Sequence, residues 1–200
     1  IFIFSCSKIK NDLPDILAPT KPSMTMENLV SIYGQVRGEG RLIVIGKRSG
    51  KFNFTFTSDS HDTFLQFRDM LGRKTLFMEI NDSSLSAWDM IQNEKYSEIA
   101  LVALFPFLEF LKPDGLTKVL WGIVPDIDTD KNTKLEFESS NTNIHFESER
   151  DRVGSLTRKI TFSHGPNSDN FEVIITQREF GTSYPHLVRV IPESVPFVNP

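Results

Sequence analysis

The chain reads as a mainly β protein of the α+β kind: one curved antiparallel sheet forming an open half-barrel. A two- to three-helix insertion covers its concave face. Three observations predict this. Short segments with period-two apolar alternation recur between turns rich in Gly, Asn and Ser. One interval, from Ile99 to Trp121, changes to helical spacing. Finally, 17 Phe stand against 3 Tyr and 2 Trp. Phe brings apolar area without a polar handle, which suits the lining of a large dry surface. A heavily packed ordinary core would use the same residues.

Three stretches divide the chain: 1–6, a short apolar lead ending at a cysteine; 7–28, a tether; and 29–200, a single domain. The tether carries Lys8, Lys10, Asp12, Pro14, Asp15, Pro19, Lys21 and Pro22 without useful periodicity. Alternation begins at Leu29. Gly34, Gly38 and Gly40 suit bends or bulges. Beyond them Leu42, Val44 and Gly46 face one way, Ile43 and Ile45 the other. Arg48-Ser49-Gly50-Lys51 gives a turn, and Phe52, Phe54 and Phe56 then alternate with Asn53, Thr55 and Thr57. Strands follow over Thr63–Arg68, Lys74–Ile80 and Leu85–Ile91, with a turn at Asn81-Asp82-Ser83.

The helical interval opens at Ser97-Glu98 and shows an apolar stripe through Ile99, Leu101, Val102, Leu104 and Phe105. Pro106 ends or kinks it. Asp114 is placed to cap a second helix through Leu116, Val119, Leu120 and Trp121, closed by Gly122 and Pro125. Strands resume at Leu135/Phe137, Ile144/Phe146, Leu156–Phe162, Phe171–Thr176 and Leu187–Ile191, with a turn at Ser163-His164-Gly165-Pro166-Asn167.

Several function classes fall away. A net charge of −4 and a pI near 5.6 do not provide the clustered positive surface that nucleic acid demands. No run reaches the roughly 18 apolar residues of a membrane-spanning helix. His61, His145, His164 and His186 are scattered, and no Gly-x-Ser-x-Gly elbow occurs. Gly46 to Lys51 imitates a phosphate loop, but Phe52 stands where Ser or Thr would hold magnesium. The run Asp126 to Asn132 opens like a calcium loop, yet Lys131 replaces the required glycine and Phe137 the bidentate glutamate. Asn53-Phe54-Thr55 and Asn81-Asp82-Ser83 match the glycosylation sequon by pattern alone. The expectation is a non-enzyme with no metal and no cofactor.

Cys6, the only cysteine, follows Ile1, Phe2, Ile3, Phe4 and the small residue Ser5, and lysine-bearing sequence begins directly after it. That order reads as the tail of a secretory signal and resembles the lipobox of a bacterial lipoprotein, whose cysteine is acylated. An ordinary buried cysteine at the start of a strand is the alternative.

The stretch from about residue 32 to 191 resembles the LolB family, lipid-anchored receptors that take lipoproteins from a periplasmic carrier and place them in the outer membrane. Gly40-Arg41-Leu42 and Phe52-Asn53-Phe54 fit the family's opening strands, and Met70-Leu71-Gly72-Arg73 its Pro-Leu-Gly-like turn. Val119-Leu120-Trp121-Gly122-Ile123-Val124-Pro125 is similar to its Trp-x-x-Gly-x-Pro closure, and Leu156–Phe162 with Phe171–Thr176 to its late hairpin. The resemblance implies a monomeric lipoprotein facing the periplasm from the inner leaflet of the outer membrane, anchored through the Cys6 lipid. Its partners would be a periplasmic carrier and the acyl chains of lipoproteins. Phe52, Phe54, Phe56, Leu65, Phe67, Leu76 and Met78 would line the groove, with Leu104, Phe105, Leu108 and Trp121 as lid. Met70 and Leu71 would enter the membrane. The competing expectation is a structural or interaction lipoprotein with a dry core and no lipid cargo.

Overall fold

The computed structural model describes residues 24–47, 49–81, 84–125, 142–164, 169–181 and 191–198. Cys6, the tether before Met24, Arg48, the Asp126–Asn132 turn, the Leu135/Phe137 strand, the turn after His164, His186 and the expected strand from Leu187 lie outside them. In chain order the elements are α1 (Met26–Tyr33), β1 (Val36–Ile45), β2 (Gly50–Ser58), β3 (Thr63–Arg68), β4 (Lys74–Asn81), β5 (Ser84–Asp89) and β6 (Glu94–Tyr96). They continue with α2 (Glu98–Leu104), α3 (Phe107–Trp121), β7 (Thr142–Arg150), β8 (Ser155–His164), β9 (Asn170–Phe180) and β10 (Phe197–Val198).

The ten strands among the described residues form one open, mixed sheet in the order β10-β6-β5-β4-β3-β2-β1-β9-β8-β7. The sheet is not wholly antiparallel as expected. β10 runs parallel to β6, because the last segment of the chain returns to that edge and Lys95 N–H bonds to the Pro196 carbonyl at 2.8 Å. Every other neighbouring pair is antiparallel.

The glycines of β1 have a packing reason. Gly38 pairs with Phe56 and Gly40 with Phe54 across β1 and β2. A Cβ on Gly40 would stand 2.3 Å from the Phe54 ring, and one on Gly38 2.6 Å from the Phe56 ring. The two rings therefore lie over bare backbone, and β1 carries a bulge against β9 at Glu39/Gly40. Alternation puts Leu42, Phe54, Phe56, Leu65, Met78, Ile80 and Val173 into one core with Leu101, Leu108, Leu116 and Leu120 of the helices. The other face holds a smaller core, where Ile191 and Val195 pack with Phe64 and Phe77.

Three elements depart from the sequence reading. α1 occupies Met26–Tyr33, where tether and then alternation were expected. Thr25 Oγ1 accepts from Asn28 N–H at 3.3 Å, and Leu29 is buried in the core. The strand expected to reach Ile91 ends at Asp89, because Asp89 Oδ1 accepts from Ile91 and Gln92 N–H and bends the chain into β6. The second insertion helix starts at Phe107, not at an Asp114 cap, and breaks at Lys112 (φ 54°, ψ 171°). Pro113 has no N–H to continue the ladder and disfavours helical geometry in the residue before it.

Candidate functional site: an apolar cavity and an exposed hairpin tip

Where helices and sheet meet there is a cavity of about 20 Å³. From the sheet its walls are Leu42, Phe54, Leu65, Phe67, Met78 and Val173; from the helical segment they are Phe105, Phe107, Leu108, Leu116 and Leu120. Every lining side chain is apolar, so a water inside would find no hydrogen-bond partner among them. Aromatic rings make much of the wall. Phe54 and Phe67 lie 5.4 Å apart between centroids, and Phe107 lies 5.0 Å from Phe162 and 5.2 Å from Phe171.

Of the groove residues named from the sequence, Phe54, Leu65, Phe67, Met78, Phe105 and Leu108 meet at this cavity. Phe56 is buried beside Phe54 at 6.3 Å, and Phe52 and Leu76 are half-buried against the same core. Leu104 is exposed at the end of α2. Leu42 and Val173 were not named, although both sit on the apolar side of alternating strands. Phe107, Leu116 and Leu120 were hidden by the helix break, which rotates the two halves of α3 independently.

Trp121 lies elsewhere. Its side chain is fully buried, and its indole N–H donates to Ser58 Oγ at 2.8 Å. Ser58 Oγ in turn shares a hydrogen bond of 2.6 Å with Thr63 Oγ1, which also accepts from Thr117 Oγ1 at 3.3 Å. A neighbouring clasp comes from Arg178. Its Nε donates to the Leu120 carbonyl at 2.8 Å, and its Nη2 to the carbonyls of Val119, at 2.9 Å, and Thr157. Burial, and then the like charge of Arg158, lower the Arg178 guanidinium to about 10, so it is charged at neutral pH. These groups fix the C-terminal end of α3. Gly122 closes the helix in the left-handed conformation (φ 90°), donating to the carbonyls of Lys118 and Val119.

The β3–β4 hairpin tip is built differently. Met70 is 82% and Leu71 80% exposed. Under them Asp69 Oδ1 accepts from the N–H groups of Leu71 and Arg73, both at 2.9 Å, and Asp69 Oδ2 from Arg73 Nε at 2.7 Å. Gly72 turns the chain at φ 78°, and Arg68 Nη1 donates to its carbonyl at 3.2 Å. Desolvation acts to raise the Asp69 carboxyl, but the Arg73 side chain and the two N–H donors outweigh it and hold the group below its ordinary value. The tip is thus ordered by polar side chains that bond to its backbone, while its apolar side chains stand in solvent.

Among the described residues no group of three or more His, Cys, Asp or Glu could hold a metal ion, and no helix is long and apolar enough to cross a membrane. A comparison with protein-family models gave no match, and neither did one with curated proteins.

Proposed function

We propose that the protein is a lipid-anchored lipoprotein receptor of the LolB kind: it takes acyl chains between sheet and helices and passes them into the outer membrane. In this reading the open sheet is a half-barrel, the helical insertion covers its concave face, and the Cys6 lipid tethers the domain to the inner leaflet. The observation that carries it is the wholly apolar cavity between the two layers. At about 20 Å³ it holds no acyl chain as it stands, so loading requires the Phe105–Leu111 segment to move outward. The break at Lys112–Pro113 supports such a motion, since it separates that segment from the anchored end of α3. Each methylene buried contributes about 0.8 kcal/mol, which offsets the apolar contacts the segment gives up. The Leu71 tip then delivers cargo to the bilayer.

The test pairs a binding assay with a transfer assay. A fluorescent long-chain fatty acid should bind saturably and be displaced by a lipopeptide. Leu71→Glu should keep that binding and the unfolding midpoint while losing transfer of lipoprotein into vesicles. Unfolding of that variant, or normal transfer by it, removes the membrane role of the tip. The small cavity volume favours a second reading, a structural or interaction lipoprotein with a dry core. Absence of any saturable fatty-acid binding would decide for it.

A further inference from the structure

The β5–β6 turn repeats the construction of the β3–β4 tip. Asp89 Oδ1 accepts from Ile91 N–H at 2.8 Å and Gln92 N–H at 2.9 Å, as Asp69 does for Leu71 and Arg73. Each tip lifts an aliphatic side chain two residues after its Asp, and Ile91 is 62% exposed. Strand register puts both at one end of the sheet. Arg68 pairs with Lys74 at the foot of one hairpin, Leu76 pairs with Asp89 at the foot of the other, and Met90 N–H bonds to the Thr75 carbonyl at 2.8 Å between them. The midlines of the two hairpins are two strand spacings apart, roughly 10 Å.

Basic residues cluster at two of the turns at this end. Lys47, Lys51, Arg68, Arg73 and Lys74 gather around the β1–β2 and β3–β4 turns, on a chain whose net charge is −4. Carboxylates stand among them: Asp69 and Asp89 accept from turn N–H groups, Glu94 lies opposite Asp89 across β5 and β6, and Asp169 lies beside Gly46. Basic residues beside protruding aliphatic side chains match an anionic bilayer surface, with cations at the head groups and side chains below them.

We propose that the β5–β6 tip is a second membrane contact, so that the domain docks on an anionic bilayer through Leu71 and Ile91 together. This rests on the reading of the β3–β4 tip as a membrane contact. Two contacts set across the sheet end fix the orientation of the domain, where one would let it swivel.

Because Cys6 is the only cysteine, a Cys6→Ser full-length chain can carry one new cysteine for a polarity-sensitive dye, at Leu71, Ile91 or Ile32. Ile32 is also exposed but lies on α1, joined to the opposite end of β1 through Gly34 and Gln35. Vesicles of phosphatidylethanolamine with phosphatidylglycerol should shift the emission of Leu71→Cys and Ile91→Cys to the blue and leave Ile32→Cys unchanged. Ile91→Asp should keep the unfolding midpoint and weaken vesicle binding about tenfold, the worth of burying one aliphatic side chain. A shift at position 71 without one at 91 overturns the second contact and leaves the first. No shift at either overturns both. Equal shifts at all three positions, or equal binding to phosphatidylcholine alone, overturn the oriented anionic docking.

Discussion

The two ends of the helical insertion are held to the sheet by different forces. At the Trp121 end, directional hydrogen bonds dominate: indole to Ser58, Thr117 to Thr63, and Arg178 to the carbonyls of Val119, Leu120 and Thr157. At the Phe105–Leu108 end the contacts are ring and aliphatic packing around the cavity. Hydrogen bonds of the first kind are lost at full desolvation cost when one partner leaves. Apolar contacts of the second kind are restored by any apolar group that replaces them. One end is therefore an anchor, and the other is held by contacts that another apolar group could replace.

The strongest way to break this comparison is to truncate a ring at each end. Trp121→Ala should destabilise by about 3–5 kcal/mol, because it removes a fully buried ring and leaves Ser58 Oγ without the indole N–H. Phe105→Ala should cost only about 1 kcal/mol, since that ring is half-buried and leaves no hydrogen-bonding group behind. Urea denaturation of both variants decides. Equal losses would mean that the two ends are held alike.

Arg178→Met sharpens the same contrast. The substitution keeps much of the apolar stem but leaves three carbonyls short of their donor. A loss of about 2–3 kcal/mol is expected, with hydrogen exchange rising first in the amides of the last turn of α3. Exchange that rises instead around Phe107–Leu111 would place the weak end of the insertion at the wrong side.

Much of this contrast was written in the sequence, though unevenly. Period-two alternation placed β3 over Thr63–Arg68 to the residue, because each strand shows one face to a common core. The exposure of Leu71 also followed from local chemistry, since a four-residue turn offers an apolar side chain nowhere to go. α1 was legible in principle from Met26, Leu29, Val30 and Tyr33 at helical spacing after Thr25, but the proline- and charge-rich residues just before it outweighed that short signal. Trp121 was misplaced for a different reason. Its partner Ser58 is 63 residues distant, and nothing in either local pattern announces the pair. The cavity, too, is a small remainder of packing among six elements, which no single segment encodes.

The smallest expected effect concerns the carboxylate beneath the exposed β3–β4 tip. Hydrogen bonds from Arg73 and Leu71 prevail over desolvation and hold the Asp69 carboxyl below its ordinary value. A depressed carboxyl stabilises the folded turn at pH above its ordinary value, and that contribution is lost as pH falls through the lowered folded value. From neutral pH down to about 5 the turn should therefore be unchanged. Below about 4 the amides of Leu71 and Arg73 should lose protection, measured against their intrinsic exchange rates, while those of β3 and β4 keep it, because the carboxylate that accepts from them is being protonated. Asp69→Asn should show the loss of protection already at neutral pH. Protection at Leu71 that is flat with pH would mean that backbone geometry around Gly72, and not the carboxylate, holds the tip in place.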